Sequence, residues 1–302
     1  MSEVKKIATR MSYGNALVEL GKEHDDLLVF EADLGGATKT TIFRDVFPDR
    51  HIECGIAEAN MVGMAAGIST TGIVPFVSSF AMFTAGRAFD QLRNSVGYPH
   101  LNVKVGATHQ CNEDFALMRT IPGMVVICPS DDVEARAAVK AAYEYKGPVY
   151  MRFGRVAVPV INDNPDYKFE IGKGVTLKDG KDLTIIANGI LVSESLQAAE
   201  MLAKDGINAR VINMHTIKPL DKDLVIKAAK ETGKIVTVEE HSVIGGLGSA
   251  VADVVSEENL APVHKIGVQD VFGESALAEE LLEKHGLDAK GIYNNIKDYL
   301  NK

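Results

Sequence analysis

The chain has 302 residues, enough for two ordinary α/β domains, and its 46% hydrophobic content supports two sizeable cores. A net charge of −9, spread along the chain, argues against a nucleic-acid surface, because neutralising phosphates takes clustered Lys and Arg. No apolar run reaches bilayer-spanning length, so no membrane association is expected.

The opening stretch, MSEVKKIATRMSYGNALVEL, lacks the apolar block and small-residue cleavage site of a signal peptide. Cys54, Cys111 and Cys128 lie far apart, which fits neither a zinc site nor a disulfide framework; a reducing cytoplasm is expected, with no metal bound by this chain. LLVFEADL (27–34) reads as a strand and a loop, and Ile56 to Thr70 as a helix. IVPFVSS (73–79) is a strand and FTAGRAFDQLRNSV a helix. NVKVGAT (102–108), MVVICP (124–129) and PVYMRF (148–153) are further strands, with a helix over DDVEARAAVKAAYEY capped by Ser130 or Asp131. Near-continuous Val/Ile runs, rather than alternation, predict parallel strands covered on both faces.

After Arg155 the pattern lapses into a Pro-, Asn-, Asp- and Gly-rich stretch, read as a linker with room for a short hairpin. A second βα series follows: LTIIANG, a helix to Lys204, ARVINM, a helix near LDKDLVIKAAKE, KIVTVEE, a helix over GGLGSAVADVVSEE, VHKIGV and two closing helices. The predicted architecture is α/β with two doubly wound domains, residues 1–160 and 181–302, joined by a linker over 161–180.

Asp33, Glu58, Phe80, Phe83, Arg87, His109 and Arg155 fall in loops after strand ends, where open α/β sheets place ligands. Glu58 interrupts the small, apolar stretch GIAEANMVGMAAGI. A first-turn acid meeting the positive helix end accounts for it, and so does a carboxylate kept dry because something binds it. A carboxylate beside two aromatic rings suits a flat, nitrogen-rich heterocycle. Each residue also has an ordinary reading: Phe80 and Phe83 as core, Arg87 in a surface ion pair, His109 as a satisfied loop residue. GGLGSA (245–250) before a helix can bind an anion through backbone amides, but lacks the acid that a dinucleotide fold places about twenty residues on.

These motifs carry a resemblance. GIAEANMVGMAAGI resembles the signature helix of the pyrimidine-binding domain in transketolase-type thiamine-diphosphate enzymes, and EADL (31–34), PFVSSFAMFTAGRAFDQLRNS (75–95), THQ (108–110), INMHTIKPLD (212–221) and VEEHSVIGGLGSAV (238–251) follow in the family's order. The chain is similar throughout to the C-terminal half of transketolase, as found when that enzyme is split over two chains. The resemblance implies a two-carbon ketol transfer between sugar phosphates, the chemistry of the pentose phosphate pathway. It implies thiamine diphosphate as cofactor, Mg2+ held by a separate N-terminal subunit carrying the diphosphate-binding domain, and a homodimeric core in an α2β2 assembly.

By the same resemblance, Glu58 hydrogen-bonds the aminopyrimidine ring and shifts it to the imino form that deprotonates the thiazolium carbon. Phe80 and Phe83 pack on that ring, Asp33 helps hold it, and Arg87 joins the cofactor pocket as in related synthases. Arg10 (ATR) and Arg155 (RFGR) match arginines that bind the sugar phosphate, and His109 matches a histidine beside the substrate hydroxyls with proton-transfer and orienting roles. The chain departs from the family in two places. A phosphate-binding serine is replaced around Ala37–Thr38, and VKVGATHQ passes residues 106–110 without the glycine-rich active-site loop of about a dozen residues expected there. Within the class, a beta-type subunit of a 2-oxoacid dehydrogenase or a deoxyxylulose-phosphate-synthase-like enzyme is the alternative. Outside it stands a non-catalytic α/β assembly protein. In relatives the second domain supports the dimer, which leaves structural or anion-binding roles for His215, His241 and the GGLGS turn.

Overall fold

The computed structural model describes residues 5–301 and divides into two compact units, up to Ile171 and from Gly172. In the first unit the strands are β1 (Lys6–Ala8), β2 (Leu27–Glu31), β3 (His51–Glu53), β4 (Val74–Phe80), β5 (Lys104–Thr108), β6 (Val125–Ile127), β7 (Val149–Phe153) and β8 (Ala157–Pro159). Strands β6, β7, β5, β4, β2 and β3 lie side by side in that order, all parallel. Their residues are buried almost without a break, as expected of strands with helices on both faces.

Register decides where the carboxyl ends fall. Glu31 pairs with Glu53 on one side and Ser78 on the other; Phe80 pairs with Thr108, and Thr108 with Phe153. Five loops therefore leave the sheet at one edge, carrying Asp33, Glu58, Phe83 with Arg87, His109 and Arg155. The helix Thr9–Glu23 is pressed onto this sheet through Tyr13, whose ring stacks 4.7 Å from Phe153 and whose hydroxyl lies 2.7 Å from Ser78 Oγ. Gly106 permits this approach, since a Cβ there would stand 2.2 Å from the Tyr13 ring. On the opposite edge Lys104 is wholly buried, its ammonium donating to Asn102 Oδ1 and to the Tyr145 and Gly147 carbonyls at 2.6–2.7 Å.

Two expectations change in detail. FTAGRAFDQLRNSV winds as π-helix over Phe83–Arg87 and Gln91–Gly97, with i→i+5 bonds such as Ala88 N–H to Phe83 O at 3.2 Å and Tyr98 N–H to Arg93 O at 2.8 Å. The stretch after Arg155 forms no hairpin of its own. Ala157–Pro159 runs antiparallel to Lys6–Ala8, and Asp131, the observed cap of the helix Asp132–Glu144, accepts the Ile161 and Asn162 N–H groups, each at 2.7 Å.

In the second unit the strand order is Val263–Val268, Ile235–Ser242, Leu183–Ala187, Ala209–Asn213 and Val175–Lys178, parallel except for the last. Ile186, Ile212, Met214, Val225, Leu247 and Val251 form part of its core. Among the described residues no helix is long and apolar enough to cross a membrane.

Candidate active site at the carboxyl edge of the first sheet

Glu53 ends β3, and its Oε1 accepts the Gly55 N–H at 2.9 Å and the Asp33 N–H at 2.8 Å, tying the loops after β2 and β3 together. Asp33 itself is exposed at the rim, with its backbone in the left-handed region (φ 57°). The helix Glu58–Ser69 then begins with Glu58 as its first residue, 4% exposed. Glu58 thus meets the positive end of its helix, and it is buried there.

The Glu58 carboxylate accepts a 3.1 Å hydrogen bond from Arg87 Nη1. Arg87 comes from the π-helical turn after β4, its guanidinium 3.9 Å above the Phe83 ring. Phe83 lies 5.6 Å from Phe80, and Phe80 lies 4.1 Å from His109, ring to ring. A continuous wall of flat groups runs from the buried carboxylate to the imidazole.

His109 also has a left-handed backbone (φ 70°), fixed by its N–H donating to Phe153 O at 3.1 Å, and its Nδ1 is 2.8 Å from Thr108 Oγ1. Burial, and then the positive charges of Arg10 and Arg155, push its pKa down to about 4. Arg10 reaches this corner because Thr9 Oγ1 accepts the Gly154 N–H at 2.7 Å, docking the start of its helix against the loop after β7. Arg10 Nη1 donates to Ala37 O at 2.9 Å, while its buried Nε has no hydrogen-bond partner. Burial and the charge of Arg155 lower the Arg10 pKa. Arg10, Arg155 and His109 lie near enough for both guanidinium charges to act on the imidazole, a concentration of positive charge that suits an anionic group.

Two supporting clusters escape a sequence reading. Glu31, wholly buried at the end of β2, accepts four hydrogen bonds: Thr38 Oγ1 at 2.6 Å, Thr40 Oγ1 at 2.7 Å, Ala32 N at 3.0 Å and Leu34 N at 3.1 Å. It organises the 32–40 loop that holds Asp33 and receives Arg10. Burial raises its pKa against these four donors. Its one sequence signal is an acid at the end of a buried strand followed by a Thr-x-Thr pair. Behind His109, Arg152 donates to Cys111 O at 3.2 Å and approaches Asp114 at 3.7 Å, and Tyr150 donates to Asp114 Oδ2 at 2.7 Å. This buried set anchors the short segment that runs from His109 into the helix Asp114–Thr120.

The second unit corrects one expectation. The helix that begins within GGLGS, at Leu247, does hold an anion through its first amides, but the anion is the chain's own: Glu239 accepts the Leu247 and Gly248 N–H groups at 2.6 and 2.8 Å. His241 stands 3.8 Å from that carboxylate, and His215 is buried with Nδ1 2.9 Å from Thr216 Oγ1.

Comparison with known proteins bears on this geometry. The family model for the transketolase pyrimidine-binding domain matches residues 5–160, and that for the transketolase C-terminal domain matches residues 172–292. A Methanocaldococcus jannaschii protein described as a transketolase C-terminal section is 48% identical, over 97% of this chain and 96% of its own length. A 6-deoxy-6-sulfo-D-fructose transketolase subunit of Clostridium sp. is 43% identical over 94% of this chain and 91% of its own. Among solved structures, a split-gene transketolase in an inactive beta4 tetramer superposes with a TM-score of 0.90 at 50% identity, covering 98% of this chain and 99% of that one.

Proposed function

The chain belongs to the transketolase family, carrying that family's pyrimidine-binding and C-terminal domains, and from that premise we propose that it is the C-terminal subunit of a split transketolase that moves a two-carbon ketol unit between sugars bearing an anionic end group. The observation that carries the reading is Glu58, a buried carboxylate at a helix start beside the Phe83 and Phe80 rings. Those residues fit the aminopyrimidine of thiamine diphosphate: the rings offer stacking area, and the buried carboxyl offers one oxygen placed to share a proton with a ring nitrogen. Thiamine diphosphate supplies the carbon nucleophile that adds to a ketose carbonyl. Glu58 holds the ring and shares a proton with its nitrogen. Asp33 stands at the rim of the same seat.

At the other end of the wall, Arg10 and Arg155 take the phosphate of the sugar. The unpartnered Nε of Arg10 supports this, because a buried donor favours an acceptor brought by the substrate. His109, kept neutral by burial and their charges, orients the sugar hydroxyls and can accept a proton. The sulfonated substrate in the name of the Clostridium relative agrees with a site that reads the anion as much as the phosphorus. The diphosphate-binding domain and Mg2+ belong to a partner subunit, in an α2β2 assembly working in the cytoplasm.

The test combines the chain with its diphosphate-binding partner, Mg2+ and thiamine diphosphate, and follows ketol transfer from xylulose 5-phosphate. Activity is expected only with both chains, and Glu58→Ala is expected to lower it by about 10^2- to 10^4-fold. Pyruvate decarboxylation without ketol transfer overturns the sugar-phosphate reading in favour of the 2-oxoacid one.

A further inference from the structure

We propose that Arg87 is an internal stand-in for the cofactor's ring: in the free chain its guanidinium takes the seat on Phe83 and the hydrogen bond of Glu58, and cofactor binding displaces it. The proposal rests on the reading of Glu58 and Phe83 as the pyrimidine seat. A carboxylate as deeply buried as Glu58 is costly to leave unpaired, so a chain folded without its ligand must supply a donor from within. Arg87 is suited to the task by shape as well as charge. Its guanidinium is a flat plate with N–H donors along the edge, and it uses both properties here, the face against Phe83 at 3.9 Å and the edge toward Glu58 at 3.1 Å. An aminopyrimidine would use the same two places, its face on the Phe83 ring and its edge at the Glu58 oxygen, there through a proton shared with the ring nitrogen. The plate leaves no room for a second ring on that face, and it occupies the carboxylate oxygen with which the ring nitrogen would share a proton.

The two partners differ in freedom. Glu58 is fixed at the first position of a helix, while the Arg87 side chain is 53% exposed at the end of a π-helical turn and can swing out on its long stem. The seat is therefore available only in the fraction of molecules in which Arg87 has left, and the apparent cofactor affinity is reduced by that fraction. Removing the stand-in should move two quantities in opposite directions, tightening cofactor binding and weakening the cofactor-free fold.

The experiment uses the chain assembled with its partner subunit. Thiamine diphosphate with Mg2+ is titrated by calorimetry, and its association rate followed by stopped flow, for the wild type, Arg87→Met and Arg87→Lys. Melting of each cofactor-free chain is recorded in parallel. Arg87→Met is expected to bind about three- to tenfold more tightly, chiefly through a faster association rate, and to melt at a lower temperature without cofactor. Arg87→Lys, which keeps the charge without the flat fork, should fall between. Equal or weaker binding by Arg87→Met overturns the proposal, and weaker binding makes Arg87 a direct holder of the cofactor. A wild-type assembly that binds no thiamine diphosphate overturns the functional reading, and the stand-in with it.

Discussion

His109 is kept neutral by burial and by two neighbouring cations, and that combination makes it a reporter of its own site. Its folded pKa of about 4 lies below the ordinary 6.5, so the unfolded chain takes up the proton first as pH falls. The stability it contributes is present above about 6.5 and is lost as pH falls toward 4. A phosphate dianion set against Arg10 and Arg155 would offset the charges that depress it. Imidazole resonances of the isolated chain should therefore titrate near pH 4, with the midpoint rising when inorganic phosphate is added. A midpoint that starts near 6.5, or that ignores phosphate, would remove His109 from the anion site. These single residues were partly legible in the sequence. Glu58 stood out because an acid broke an apolar helix. Its contact with Arg87 could not be read, because a π-helical turn replaces the 3.6-residue register on which a face assignment depends. Glu31 stayed hidden because its four donors come from a loop whose path no local pattern dictates.

Secondary elements carry their own ledger of polar groups, and the helix Leu247–Glu257 closes its ledger with a carboxylate from the adjacent strand. The sequence showed the glycine turn and the helix start; it could not show that Glu239, eight residues back, turns inward to meet them. Gly246 makes the meeting possible, since a Cβ there would lie 2.0 Å from Glu239 Oε2. Glu239→Ala should leave two buried N–H groups short of their acceptor and cost about 2–3 kcal/mol in urea unfolding. Gly246→Ala should cost a similar amount by forcing the carboxylate out. The double variant should lose less than the sum, because both changes break one contact. Additive losses would mean that the glycine matters for some other reason. The same limit explains Ala157–Pro159 and Lys6–Ala8: three-residue strands have no periodicity to read, and only their pairing across the chain defines them.

For the whole chain, the apolar runs correctly implied two parallel-sheet units, because strands covered on both faces cannot alternate. That inference also pointed to the carboxyl ends of the strands as the place for a candidate site. The helix Glu58–Ser69 carries the pattern one step further. Between Glu58 and Ser69 its sequence is small and apolar apart from Asn60, as in a helix covered on most of its sides. Yet Asn60, Gly63, Met64 and Gly67 share one exposed stripe, and a Cβ at either glycine would meet nothing within 4 Å. Glycine in a helix interior costs about 0.5–1 kcal/mol relative to alanine, so the folded chain alone gives no reason to keep two of them on an open face. Close approach of another subunit would give one. Gly63→Leu should leave the melting temperature of the isolated chain unchanged or raised, since the side chain enters open space. In sedimentation, both self-association and assembly with the diphosphate-binding partner should weaken. If Gly63→Leu assembles as the wild type does, the stripe is no contact surface and the two glycines serve the helix in a way its packing does not show.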